Sequence, residues 1–528
     1  MTNLSDLFPA GAGKQVSFTA SGNISSSGKP VVLNSDGTVS EITTSSASGS
    51  LPLGTRLTVE SSASSMMRTQ VTADPHNTDR WMVSYYNDSA PAGIRIKFVT
   101  RSGTTLTDGG ATNAGSEADI GDAYNHAMAF DPVTPNKVVM LFMPGANATT
   151  SYGTAAVVLT LSTSDKDAVV SFGTVNRFES DNFDAANGTH NRFQAIGTTG
   201  NYLGAWANDP SAVKMRVITV SGTTVTAPGS TTIPYATQPR GSAEFIVKVN
   251  PYDSSKALLF QNNVDKHLYI NDLALSGSTI TATSTGNVVD NSTTYENNYY
   301  NVNLVYVSST KFILAATLES MSNGQGFQRV GNLNSGTFSY GSWVTSNVLT
   351  GDSAMKYTYM QVLSNSTVTS DKWITIWTTN SSGGSYDKYP WGRIGSQSTN
   401  TVSFDTNTAM DSIAYSYIAV AKADDADGHF LVMGDNNSNS AWVKLGKTGG
   451  TSSNLTSTNF LGISDAAISS AASGNITIKG GIAATGLSSL TPGSDYYVQD
   501  DGTITTVSSD VKAGKALSAT AINLEYQS

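Results

Sequence analysis

Eight residues of this chain place rings, imidazoles and cations where they could act together: Tyr124, His126, His190, Arg192, Arg240, Tyr299, Lys356 and Tyr415. His126 and His190 stand eleven residues before Lys137 and Asn201, and the other six lie near comparable places. The chemistry such a set offers is recognition. Aromatic faces stack on CH-rich sugar surfaces, while guanidinium, ammonium and imidazole groups bond hydroxyls. The alternative for the same residues is structural, as bridges between adjacent elements or as solvated side chains.

Signatures of catalysis do not appear in the sequence. There is no HExxH, no P-loop, no Gly-x-Ser-x-Gly and no Ser-x-Asp-x-Gly-x-x-Trp turn. The five histidines are scattered without metal-ligand spacing. Asp424-Asp425-Ala426-Asp427-Gly428 looks like a calcium loop but lacks a distal bidentate Glu, so it reads as a turn. Asp181 to Asp184 reads as a solvated loop. With 40 acidic residues, some carboxylate pairs arise by chance. No catalytic residue, metal ligand or cofactor is expected. A second aromatic group, Tyr386, Tyr389, Pro390 and Trp391, with Tyr85 and Tyr86 at a comparable place, suits either a partner surface or a core.

The elements that would position these residues repeat seven times. A polar or basic residue precedes a short apolar run at Arg80, Lys137, Asn201, Lys256, Lys311, Lys372 and His429, at intervals of 57, 64, 55, 55, 61 and 57. A fixed period of this kind marks an array of similar units. Each unit has a strand-like segment before the marker and a turn such as Asp74-Pro75, Asp131-Pro132 or Asn250-Pro251. The marker's own apolar run lacks alternation, which suggests a strand covered on both faces. A third segment ends in Ser-Gly, as at Ser102-Gly103 and Ser276-Gly277, and a Thr-rich fourth follows. Four strands per unit and seven units predict an all-β protein built on a seven-bladed β-propeller over residues 61–455. A sandwich or solenoid with a similar strand count is the competing architecture. In a propeller the first strand of each blade lies nearest the axis, so the eight residues would converge on one mouth of the channel.

Composition agrees with β structure rich in polar turns. Only 13% of the 528 residues are charged, against 39% hydrophobic, and there are 48 Gly and 22 Tyr. A net charge of −10 with no basic block argues against nucleic acid as a partner. There is no cysteine, hence no disulfide. Residues Met1 to Lys14 lack the apolar core of a signal peptide, and no run has the length of a membrane-spanning helix, so membrane insertion is not expected.

The two ends of the chain resemble each other. Ala20-Ser21-Gly22-Asn23-Ile24 returns as Ala472-Ser473-Gly474-Asn475-Ile476, and Asp36-Gly37-Thr38 returns as Asp501-Gly502-Thr503. Both Asp-Gly-Thr tips are hairpin signals. Residues 1–13 read as an arm, 14–60 as the first part of a small β-module and 456–528 as its remainder. The ends form either one domain interrupted by the propeller or two separate modules. Thr43 to Ser50 and Gly446 to Ser457, rich in Gly, Ser and Thr, would serve as joints.

Four segments carry a resemblance. They are Asn459-Phe460-Leu461-Gly462-Ile463, Gly474 to Gly481, Leu490 to Val498 and Lys512 to Ser518. Together they resemble a small β-module recurrent in tail-fibre and head-decoration proteins of tailed phages, notably marine phages. In that family a segment like Gly28 to Leu33 and Asp36 to Val39 comes first, which favours the split module. The resemblance covers about a quarter of the chain and implies a non-enzymatic virion structural protein, assembled in the host cytoplasm and homo-oligomeric in the particle. Its partners would be other virion proteins and a host-surface glycan or protein. A tail-associated, receptor-binding role is the first expectation. Head decoration or tail assembly without receptor binding is the second, and a polysaccharide-degrading enzyme the third.

Overall fold

The computed structural model describes residues 14–46, 54–61, 66–87, 92–117, 119–121, 123, 125–145, 153–162, 169–179, 193–208, 212–227, 231–232, 245–263, 267–290, 299–318, 325–345, 360–364, 372–378, 390–398, 400–405, 408–411, 417–423, 425, 428–435, 440–447, 451–456, 458–499, 502–506, 509 and 511–525. The protein is all-β and divides into two compact units, 1–47 with 451–528, and 48–450.

The larger unit contains seven antiparallel sheets of four or five strands, following one another along the chain. The first has Met66–Ala73, Arg80–Asn87, Gly93–Ser102 and Thr105–Asp108. The seventh has Tyr417–Lys422, His429–Asp435 and Ala441–Lys447, and its outer strand is Leu57–Glu60. That last strand corrects the boundary read from sequence: residues 57–60 belong to the larger unit. Four residues without a flanking turn motif carry no repeat signal, so their pairing could not be read from the pattern.

Each sheet shares one apolar core with the sheet before it and another with the sheet after. Met82, Ile96 and Phe98 of the first sheet pack with Met128, Phe130 and Met140 of the second. Leu141 of the second meets Tyr202 and Trp206 of the third, and Leu203 of the third meets Val247 and Leu259 of the fourth. Phe260 of the fourth packs with Leu304 and Phe312 of the fifth, and Ile313 of the fifth with Trp373 of the sixth. Ile374 of the sixth packs with Phe430 and Trp442 of the seventh. The cycle closes where Leu431, Met433 and Val443 of the seventh pack with Val71, Trp81 and Val83 of the first. The apolar runs lack alternation for this reason: successive residues point into different cores, and both are dry.

The markers have a physical explanation. Arg80, Lys137, Asn201, Lys311, Lys372 and His429 each open the second strand of their sheet. The turn before it is closed by an Asx side chain: Asp74 Oδ1 accepts the amide of His76 at 2.9 Å, and Asn250 Oδ1 that of Tyr252 at 2.9 Å. Asp131 Oδ1 accepts from Val133 and Thr134 at 2.9 and 3.0 Å. The carboxylate's other oxygen then faces the marker. Arg80 Nη2 lies 2.5 Å from Asp74 Oδ2, Lys137 Nζ 3.2 Å from Asp131 Oδ2 and His429 Nδ1 2.7 Å from Asp425 Oδ2. Burial pushes the Asp131 carboxyl up, but the Thr134 and Val133 amides and the Lys137 ammonium outweigh it and hold it below the usual range. Asp425 also contacts Arg101 of the first sheet at 3.3 Å, so it serves the turn and the closure of the cycle. Its calcium-loop neighbours Asp424 and Asp427 lie outside the described residues.

The Ser-Gly sites are hairpin turns between third and fourth strands. Gly103, Gly222 and Gly277 take φ of 61°, 61° and 57° at the first turn position, and Ser335 with Gly336 take 49° and 81°. These are the left-handed conformations that match strand twist.

In the smaller unit, strands from both chain ends share a sheet, in the order Gln15–Thr19, Ser473–Ile478, Phe460–Ser464, Pro30–Leu33, Val39–Glu41. A second sheet is wholly C-terminal, running from Ile482–Ala483 through Ala521–Leu524, Lys512–Ser518 and Asp495–Val498 to Ile504–Thr505. Val32, Phe460 and Ile463 of the first sheet pack with Tyr496, Val498 and Ile522 of the second. The two hairpin tips are built alike. Asn34 N donates to Thr38 O at 2.8 Å and Gln499 N to Thr503 O at 2.8 Å, with Gly37 and Gly502 at φ 82° and 79°. The segments expected as loose joints include Thr44–Ser46 and Thr451–Ser453, which pair as a two-stranded ribbon. The arm 1–13 lies outside the described residues.

The Arg80–Asp74 pair is almost fully buried, at 2% and 0% side-chain exposure. Arg80 also lies 5.5 and 5.9 Å from the ring centroids of Phe98 and Phe130. Arg80→Met alone strands a buried carboxylate and is expected to cost about 3–5 kcal/mol. Arg80→Met with Asp74→Leu removes both charges and is expected to recover most of that loss. Urea unfolding of the three proteins distinguishes this from a simple packing effect, in which the double variant would be the worst.

Candidate functional site

In each sheet the first strand begins beside the end of the second. Met66 pairs with Asn87, His126 with Phe142, Phe245 with Gln261, Tyr299 with Leu318 and Tyr417 with Asp435. Of the eight residues singled out in the sequence, the structure describes His126 and the backbone of Tyr299. His126 is 1% exposed. Its ring Nε2 lies 2.9 Å from Ser84 Oγ of the first sheet, and its carbonyl accepts the Gln70 amide. Gln70 Oε1 in turn accepts Met128 N at 3.1 Å. His126 is therefore a tie between adjacent sheets, not an exposed contact; the strand alternation that aims it there is set by Ala127 and Ala129 facing the opposite core. Tyr299 opens the fifth sheet's first strand, Tyr299–Tyr306. Tyr124, His190, Arg192, Arg240, Lys356 and Tyr415 lie outside the described residues, as do Asp181 to Asp184, Tyr386 and Tyr389.

Tyr85, of the second aromatic group, is buried and donates its hydroxyl to Glu60 Oε2 at 3.2 Å, across the closure between first and seventh sheets. Burial first, and the Glu60 carboxylate second, push its phenol well above the ordinary value. Pro390 is buried and opens a strand of the sixth sheet.

Among the described residues, several buried polar side chains of the larger unit are carboxamides. Gln70, Asn87, Asn125, Gln261, Asn262 and Asn263 are all exposed by 5% or less. Asn87 Nδ2 reaches Glu60 Oε2 at 3.3 Å, and Gln261 Nε2 donates to Asn263 Oδ1 at 2.6 Å. Asn125 Oδ1 and Gln261 Oε1 accept no hydrogen bond among the described residues. A buried carbonyl without a donor costs about 1–3 kcal/mol, so these two atoms are unmet acceptors inside the fold. A sequence signal for this set exists: an amide stands seven residues after the marker at Asn87, Asn208 and Asn263.

One ionisable group on a first strand stands apart. Lys248, on Phe245–Asn250, keeps part of its surface accessible, yet burial alone lowers its pKa to about 8. It belongs to the inward-leaning strands, since the first strands of consecutive sheets neighbour one another around the whole cycle.

No protein family and no curated protein matches the chain in sequence. The chain is structurally similar to β-propeller proteins. One is the α-L-arabinanase of Penicillium chrysogenum, at 10% identity and TM-score 0.36, over 74% of this chain and 97% of that one. Another is a post-proline cleaving enzyme of Rickettsia typhi, at 9% identity and TM-score 0.34, over 70% and 49%. The polysaccharide lyase Uly1 matches at 8% identity and TM-score 0.42, over 75% and 100%. At such scores the likeness assigns no activity or substrate.

Lys248 gives this region a pH signature. Its folded pKa lies below its unfolded one, so below about pH 8 the folded protein bears the whole cost of a desolvated ammonium. As pH rises from there toward the unfolded value the unfolded chain holds more protons and stability increases. Lys248→Met is expected to stabilise by about 1 kcal/mol at pH 6 and by clearly less at pH 9.5. Thermal melts at the two pH values check this, and equal gains at both would refute it.

Proposed function

We propose that residues 48–450 form a seven-bladed β-propeller carried by a small split β-module, and that the protein is a non-enzymatic virion protein of a tailed phage. Its propeller binds a host-surface glycan or protein, its module attaches it to other virion proteins, and the particle is assembled in the host cytoplasm. The closed cycle of seven shared cores supports the propeller. The module's likeness to tail-fibre and head-decoration modules supports the virion setting. The observation that supports the binding reading is the set of buried carboxamides near the starts of the first strands, where Asn125 Oδ1 and Gln261 Oε1 are left without a donor among the described residues; a ligand reaches them only if the residues that cover them move apart. Amides present donors and acceptors side by side, which is what vicinal hydroxyls require. They are neither acids nor nucleophiles at neutral pH, which suits binding rather than bond cleavage.

The test has two arms. Immunogold labelling with antibody to the full chain is expected at the tail tip or fibres of the phage that encodes it. Label over the head moves the protein to decoration, and unlabelled particles refute the virion setting. A glycan array with the full chain is expected to give a defined set of hits. Arg240→Ala and Tyr299→Ala should weaken them about tenfold each. Shortened glycans after incubation would replace binding with hydrolysis.

A further inference from the structure

The strand Gln15–Thr19 lies at the edge of its sheet, paired on one side only with Ser473–Ile478. The pairing fixes which backbone groups remain. Ile478 N donates to Lys14 O at 2.9 Å and Ala20 N to Ala472 O at 2.9 Å. In an antiparallel ladder residues alternate between facing the partner and facing away, so Val16 and Phe18 bond inward with Lys14 and Ala20. Gln15, Ser17 and Thr19 therefore turn their N–H and C=O groups to the free side, and all three are exposed. Among the described residues no strand pairs with them on that side.

The other edges of this unit are protected. Val39–Glu41 carries Glu41, which accepts Ser25 N at 2.8 Å and pairs with Lys29 at 3.2 Å. Ile482–Ala483 and Ile504–Thr505 are two residues long. Short strands and engaged charges are the usual defences of an edge. Gln15–Thr19 has neither: it is five residues with no charge, no proline and no register shift in its pairing.

We propose that this edge pairs with the same strand of a second copy of the chain, antiparallel about a twofold axis through Ser17. The sequence is self-complementary in that register. Val16 falls opposite Phe18, apolar against apolar, and Gln15 opposite Thr19, amide against hydroxyl. Val16 is 37% exposed in the single chain and gains cover. From Gln15 to Gly22 no residue is charged, so two copies meet without repulsion despite a net charge of −10 on each. An isologous contact of this kind is self-limiting: it consumes the edge and leaves a closed dimer. The pairing requires nothing of the virion role and stands independently of it.

The absence of cysteine makes the register testable. On the twofold axis, Ser17 of each copy would lie about 5.5 Å apart in Cα, within disulfide range. Thr19 would lie about 14 Å from its mate, beyond it. The full-length chain is expected to sediment as a concentration-dependent dimer. Mild oxidation of Ser17→Cys should give a covalent dimer, and Thr19→Cys should give at least tenfold less. Ser17→Pro removes an outward N–H without touching the pairing to Ser473–Ile478. Val16→Lys places charge in the seam. Each should raise the dimer dissociation constant about tenfold or more while leaving the melting temperature of the monomer in place. A wild-type chain monomeric at every concentration overturns the proposal and leaves the edge to residues 1–13 or to a different chain. A dimer unaffected by both Ser17→Pro and Val16→Lys, or cross-linked equally through positions 17 and 19, overturns it too.

Discussion

The larger unit depends on four residues far from the strands they complete. Leu57–Glu60 pairs with Ala441–Lys447, Glu60 opposite Ala441 and Leu57 opposite Val443. Val59 enters the core that holds Trp81 of the first sheet and Leu431 of the seventh. Without that strand the seventh sheet ends in an open edge, and its core with the first loses a wall. The pairing joins positions nearly 400 residues apart along the chain. Loop closure of that length costs a few kcal/mol, but only once, since the cost grows with the logarithm of length. Every other described sheet of this unit forms from neighbours in sequence, so closure is its long-range step, and the polar bonds at that seam specify it. Tyr85 and Asn87 meet Glu60, and Arg101 meets Asp425.

The low charge follows from the same geometry. A sheet covered on both faces offers charged side chains only its ends and its outermost strand. Three described ion pairs of this unit accordingly sit in turns or beside them, Arg80 with Asp74, Lys137 with Asp131 and Arg101 with Asp79, while Lys97 with Asp108 joins a third strand to the outermost one. Sheet-to-sheet polar bonds repeat at the spacing of the sequence pattern. His76 reaches Asp131 O across 55 residues, Thr72 reaches Met128 O across 56 and Tyr252 reaches Val307 O across 55. The repeat interval is thus a structural length, the chain needed to lay down one sheet and return to the same turn in the next.

That is why the array was legible in the sequence. A marker bound to a turn carboxylate leaves a trace at Arg80, Lys137 and His429, and an apolar run without alternation reports two covered faces. Strand Leu57–Glu60 left no such trace, because it is an outer strand with neither marker nor turn. The candidate site was legible only as a location. Phase placed His126 at the right end of its strand, but phase does not say which neighbour a buried imidazole finds, and Ser84 was there to hold it. The carboxamides escaped notice because Asn and Gln are common in turns, and only burial separates Gln261 from a solvated loop residue. In the smaller unit the Asp-Gly-Thr tips were legible, since a left-handed glycine between two short strands has few alternatives.

The insertion of one unit within the other uses the same economy as the closure. Within the larger unit, Gly54 N donates to Leu445 O at 2.8 Å, so the entering and leaving segments already run side by side. Within the smaller unit, Thr44–Ser46 pairs with Thr451–Ser453, so its own exit and return are also neighbours. A host domain tolerates an insert when the insert's ends are close together. Within the larger unit, pairing Leu57–Glu60 with Ala441–Lys447 brings the two ends of the array together, so closure itself supplies neighbouring ends.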